Sequence, residues 1–234
     1  MNIKFFIDKL PKIVVSLFFI LNIVAMFFYP GGNINDPHQI GYSFSYNFFS
    51  DLGTTISYSG QDNFISCLIF NFSLILVGLC FSMLFYNMRN IFTKDFILSK
   101  IASYCGVLAG ICYIGVAFTP SNLFLDEFNN PMIHIFFAHW AFRLVFITSI
   151  LFSVLIFKTD DFKNKYGYNF IIFGLVVLSY VFYSEFYLDD PRTSPQDLYK
   201  HVLAQKFIVI WMMFSVLIYS IGLSKYLQKK IDES

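Results

Sequence analysis

Charge is scarce in this sequence, and cationic side chains are missing from whole stretches of it. Lys, Arg, Asp and Glu make up 13% of the chain. Soluble domains carry about 25%, so a water-soluble core is excluded. The stretches 30–63 and 120–131 contain no Lys or Arg at all. No Cys-x-x-Cys occurs, and Cys67, Cys80, Cys105 and Cys112 all fall inside apolar runs. There they read as small packing residues, not as a disulfide framework or a metal site. No linker, low-complexity tract or soluble module interrupts the chain, so 1–234 reads as a single transmembrane domain. No internal repeat supports an inverted-repeat transporter.

What is present is apolar bulk, at 57% of residues. It is gathered into spans at about 13–29, 64–86, 101–119, 132–157, 169–187 and 203–223. Most approach the ~20 residues that cross a ~30 Å hydrocarbon core. The expected fold is all-α, a six-transmembrane-helix bundle. The basic residues alternate with the crossings. Lys4, Lys9 and Lys12 precede the first span, and Arg89, Lys94 and Lys100 flank the second connection. Lys158, Lys163 and Lys165 fill the fourth connection, and Lys225, Lys229 and Lys230 follow the sixth span. The positive-inside rule then puts both termini in the cytoplasm of a cell (plasma or inner) membrane. Acidic residues, among them Asp36, Asp51, Asp62, Asp126, Glu127, Asp189 and Asp190, collect at the opposite ends. Insertion topology and anionic lipid account for the basic face, so no nucleic-acid partner is implied. The first span follows a basic segment and ends in Tyr29-Pro30-Gly31-Gly32 without a small-x-small cleavage pattern, so it reads as a retained signal anchor.

The outer connections have more content than the inner ones. Residues 30–63 begin with turn chemistry at Pro30-Gly31-Gly32 and Asn35-Asp36-Pro37. The polar–aromatic alternation from Tyr42 to Phe49 suggests a short amphipathic element lying in the interface. Asn129-Asn130-Pro131 offers a cap and a first-turn proline for the fourth span. The 32 phenylalanines read first as lipid-facing bulk and second as the lining of an acyl-chain pocket.

Ionisable groups inside spans are functional candidates by default. Arg143 lies about 16 Å from the outer end of the fourth span at 1.5 Å per residue, and its side chain leans outward. Glu185 is its expected partner. His134 and His139 are five apart, which turns a helix by about 140°, so they do not form a His-Glu-x-x-His metal pair. His139 and Arg143 share a face, with His134 nearly opposite. Asp197, His201 and Gln205 form a stripe at the start of the sixth span, which reads either as a wet helix entry with Asp197 capping the first turn or as a wall with His201 and Gln205 facing His139 and Arg143, and Lys206 lies off it. Asp51 sits in a Ser-Asp-x-Gly turn string. Asp51, His139, Arg143, Glu185, His201 and Gln205 all fall at the outer ends, which predicts a polar outer cavity between the second, fourth, fifth and sixth spans.

Ser50-Asp51-Leu52-Gly53 before the second span, Thr119-Pro120 closing the third, His134 opening the fourth and Gln205-Lys206 in the sixth occur in an order that carries a resemblance. The chain resembles the six-span bacterial and archaeal membrane family catalogued as domain of unknown function nine-nine-eight. That family has no established activity, so the resemblance implies a fold and a choice of residues. Lys206 departs from the arginine the family leads one to expect; lysine offers a point charge in place of a bidentate fork.

Three functions compete. The preferred one is a non-enzymatic membrane component that binds lipid or a partner membrane subunit, with Arg143, Glu185, Gln205, Lys206 and His134 as ligand-binding residues and no metal or cofactor. The second is an intramembrane metal-dependent lipid hydrolase using Asp51, His139 and His201. The third is a small transporter.

Overall fold

Hydrophobic runs of about 20 residues must satisfy their own backbone in lipid, and the helix does so within one segment. In a computed structural model the described residues, 4–123 and 131–232, form six helices long and apolar enough to cross a membrane. These are α1 (Leu10–Phe28), α2 (Phe64–Met88), α3 (Phe96–Phe118), α4 (Met132–Phe157), α5 (Lys165–Phe186) and α6 (Pro195–Asp232). Among the described residues there are no strands, only isolated bridges at Gly31–Ile40 and Ile56–Asp62. Consecutive helices pack side by side, and α6 returns against α1.

Hydropathy places the helices well and their ends less well. The largest difference is α6, which runs for 38 residues where 203–223 was expected. Nothing between Pro195 and Asp232 breaks a helix, so it continues past the apolar segment at both ends. Its start is a reciprocal cap. The Asp197 backbone N–H bonds to Ser194 Oγ at 3.2 Å, and the Ser194 hydroxyl bonds to Asp197 Oδ2 at 2.5 Å. At α4, Pro131 stands at the N-cap position instead of in the first turn, and the expected cap at Asn129 and Asn130 lies outside the described residues, as do Asp126 and Glu127.

The phenylalanines are not only lipid-facing bulk. Phe81, Phe85, Phe152, Phe170 and Phe173 are among the most completely buried side chains. A ladder of rings links α2, α4, α6 and α5: Phe85 to Phe152 at 5.7 Å, Phe152 to Tyr219 at 5.8 Å and Tyr219 to Phe170 at 4.3 Å. Between α2 and α3 the packing is the opposite kind. A Cβ on Gly78 would lie 2.5 Å from the carbonyl of Gly110, so the two backbones touch directly, as small residues permit in membranes. All four cysteines are free thiols, with Cys80 buried.

Both chain ends lie at the same end of the bundle. Lys4 donates to Gln228 Oε1 at 2.9 Å, and the Ser220 hydroxyl reaches the Ile7 carbonyl. At that end Lys158 pairs with Asp95 at 3.2 Å, and Lys94 pairs with Asp160. Such exposed pairs contribute little individually. The long connection 30–63 covers the other end.

The alternation of basic ends makes a topological prediction. Cysteines placed at Ser59 and Thr193 should react with an impermeant maleimide added outside intact cells, and cysteines at Lys94 and Lys163 should react only after permeabilisation. Reaction of the Lys163 position from outside would reverse the orientation.

Candidate functional site

The outer connection is held by polar side chains that it buries in itself. Asn47 uses all of its hydrogen-bonding capacity. Its Nδ2 donates to the Gly32 carbonyl at 2.8 Å and to Asp51 Oδ2 at 3.1 Å. Its Oδ1 accepts from Ser43 N at 2.9 Å and from Gln39 Nε2 at 2.7 Å. Gly32 has φ +78°, and a Cβ there would lie 2.4 Å from the Ser59 nitrogen, so only glycine fits the crossing. Asn63, the residue before α2, donates to the carbonyls of Thr54 at 2.7 Å and Leu52 at 3.2 Å. The Tyr42–Phe49 segment is therefore not an amphipathic element lying flat in the interface. It is folded down onto α6.

Two adjacent residues of α6 receive it. Gln205 Oε1 accepts the Phe49 backbone N–H at 3.0 Å. Lys206, only 1% exposed, donates to the Asn47 carbonyl. Its ammonium lies 4.8 Å from the ring centre of Phe44, 5.2 Å from Tyr42 and 5.3 Å from Phe49, within the range of cation–π attraction. The Tyr42 hydroxyl lies 3.1 Å from the carbonyls of both Asn47 and Phe48, which share its one hydrogen. Lys206 is thus enclosed by the connection and does not line the cavity, where a ligand-binding residue was expected.

Asp51 closes a 3₁₀ turn, Phe49–Gly53, by accepting the Phe48 N–H at Oδ2 at 2.9 Å. Burial pushes its carboxyl up from the usual 3.8 to about 7, against the pull of Asn47, Phe48 and the Lys206 ammonium.

Beside this clamp is a cavity of about 400 Å³ whose lining includes Asp51, His134, His139, Arg143, Tyr180, Ser184, Glu185 and Gln205. Arg143 Nη2 and Glu185 Oε1 are 2.8 Å apart, so the expected partners meet. His134 was placed on the face opposite Arg143 but lines the same cavity, since a wide space is shared by adjacent rows of α4. Its Nδ1 lies 2.7 Å from the Thr119 carbonyl, which ties α4 to the end of α3. A smaller apolar space of about 70 Å³ lies against Gln205 and His134 and reaches Phe18, Phe70, Met212 and Met213.

The stripe Asp197, His201, Gln205 does not face the cavity as a unit. Asp197 is occupied by Ser194 and by Lys200 at 3.0 Å. His201 Nε2 is 2.9 Å from the Asp189 carbonyl in the neighbouring loop, and only Gln205 lines the cavity. Asp51, His139 and His201 therefore do not converge, and among the described residues no group of three His, Cys, Asp or Glu could hold a metal ion. Asn47, Tyr42, Phe44, Tyr180 and Ser184 were not singled out from sequence. The only signal for Asn47 was an amide embedded between aromatics.

Ser50, Asp51, His134 and Gln205 line this cavity, Thr119 approaches it through His134, and Lys206 lies under the connection. The chain matches no family model, and no curated protein or solved structure is significantly similar to it.

The raised carboxyl of Asp51 sets a direction for pH dependence. Folding favours its protonated form, so its contribution is full below the ordinary value of 3.8 and is lost as pH rises towards about 7. Melting in detergent, followed by a thiol dye that reports exposure of Cys80, should fall between these pH values. The slope should flatten in Asp51→Asn. Lys206→Met strips the Asn47 carbonyl of one donor and should lower stability by about 1–3 kcal/mol. An unchanged melting temperature would remove the clamp from the account.

Proposed function

We propose that the chain is a non-enzymatic membrane component that holds the polar headgroup of a membrane lipid in its outer cavity. The observation that supports this most is Arg143. It lines the cavity and spends one N–H on Glu185, while a guanidinium carries five donors. The remaining donors suit the oxygens of a phosphate, which guanidinium recognises in a planar, often bidentate manner. His139, Ser184 and Gln205 add polar groups on the same walls, and a few polar groups in an apolar recess are what a headgroup site requires. The proposal includes the orientation above, with basic ends in the cytoplasm of the cell membrane and the cavity facing out. It also includes membership of the six-span family whose strings the chain carries in order.

Native mass spectrometry of protein extracted in a mild detergent tests this. The wild type should carry bound phospholipid. Arg143→Ala should lose roughly tenfold in affinity, corresponding to about 1.4 kcal/mol, and its occupancy should fall accordingly. Its melting temperature should move little, because a half-exposed ion pair contributes about 0–1 kcal/mol. Wild-type protein free of phospholipid, or full occupancy in the variant, would refute the reading.

A further inference from the structure

The face between α5 and α6 carries a groove of about 430 Å³ that shares the Tyr180 wall with the cavity. Its walls are Ile172, Val176, Tyr180 and Tyr183 from α5, with Ala204 and Phe207 from α6. Ile172 is 50% and Phe207 56% exposed, and both lie on membrane-spanning helices, so the groove opens sideways to lipid. From Ile172 to Tyr183 the helix rises about 16 Å at 1.5 Å per residue. That is about half of a ~30 Å hydrocarbon core, the depth of one leaflet. Tyr180 lines both spaces. On α6, Ala204 in the groove is the chain neighbour of Gln205 in the cavity.

We infer that the groove takes one acyl chain of the same outer-leaflet phospholipid whose phosphate Arg143 holds, and that the lipid enters laterally between α5 and α6. The inference rests on the headgroup reading and adds the ligand class: a phosphate-bearing amphiphile, bound at two neighbouring subsites that share Tyr180. The polar end of the pair of spaces has the Arg143–Glu185 pair and His139. The other end is apolar apart from Ser179 and the tyrosine hydroxyls. A ligand that fills both must be polar at one end and aliphatic at the other. The groove adds van der Waals contact along the chain, while the cavity selects the headgroup. Small side chains at Ala204 and Ser179 leave the width for the chain, and a phenyl ring at either wall would close it.

The test compares two probes on purified protein by native mass spectrometry. One is palmitoyl lysophosphatidylethanolamine; the other is glycerophosphoethanolamine, the same headgroup without a chain. The chain-bearing probe should bind the wild type at least roughly tenfold more tightly. Ala204→Phe should reduce its binding roughly tenfold and leave the headgroup probe unaffected, while Arg143→Ala should reduce both. Val176→Phe, from the facing helix, provides a second obstruction should Ala204→Phe fail to fold, and melting curves identify that case. Equal binding of the two probes, or insensitivity of the chain-bearing probe to both phenylalanines, overturns the groove and leaves the cavity standing. Binding of the chain-bearing probe that survives Arg143→Ala in full would mean that chain and headgroup are not held together, and also overturns the inference. If the wild type takes up neither probe, the headgroup reading falls, and this inference with it.

Discussion

A lysine buried in a membrane helix needs partners that lipid cannot supply, and here they come from the outer connection. Lys206 is enclosed by the Asn47 carbonyl and the rings of Tyr42, Phe44 and Phe49. An isolated ammonium in an apolar medium would cost many kcal/mol, so the connection that encloses it and the helix that carries it stabilise each other. Asn47 extends the constraint. It passes from Lys206 at its carbonyl to Asp51, Gly32, Ser43 and Gln39 at its side chain. A connection without strands or long helices acquires a single conformation from one buried cation and one fully bonded amide.

The cavity follows from that clamp. The 49–53 turn is bonded to α6 through Gln205 and forms one wall, and α4 and α5 form the others. Charged side chains that could not face lipid meet there as the Arg143–Glu185 pair. The balance of the site is mixed: a guanidinium beside a carboxylate, and an aspartic acid that burial shifts towards its protonated form. Such a wall is polar and charged, whereas the groove between α5 and α6 is lined mainly by apolar side chains.

Hydropathy and charge alternation made the helical bundle legible, because spanning length and basic ends are properties of local sequence. The Arg143–Glu185 pair was legible for a related reason: each was an ionisable group near the outer part of its span with few other partners available. The stripe of Asp197, His201 and Gln205 was legible as a capped helix entry but not as a wall facing the cavity, since helical spacing says which residues share a face but not which loop approaches that face. Asp189 and Ser194 reach His201 and Asp197 first. Lys206 was treated as a ligand-facing cation because nothing local in the sequence reveals that residues about 160 positions earlier fold over it. The aromatic run from Tyr42 to Phe49 was read as amphipathic for the same reason. Alternation reports two faces, and it does not report that one of them meets a cation.

Amide hydrogen exchange over residues 42–54, comparing wild type with Lys206→Met, tests most directly whether the outer connection is built on the buried lysine. The account predicts slow exchange across this segment in the wild type and faster exchange, confined to it, in the variant, while α2 and α3 remain protected. Rapid exchange of the segment in the wild type, or protection unchanged by Lys206→Met, would contradict it.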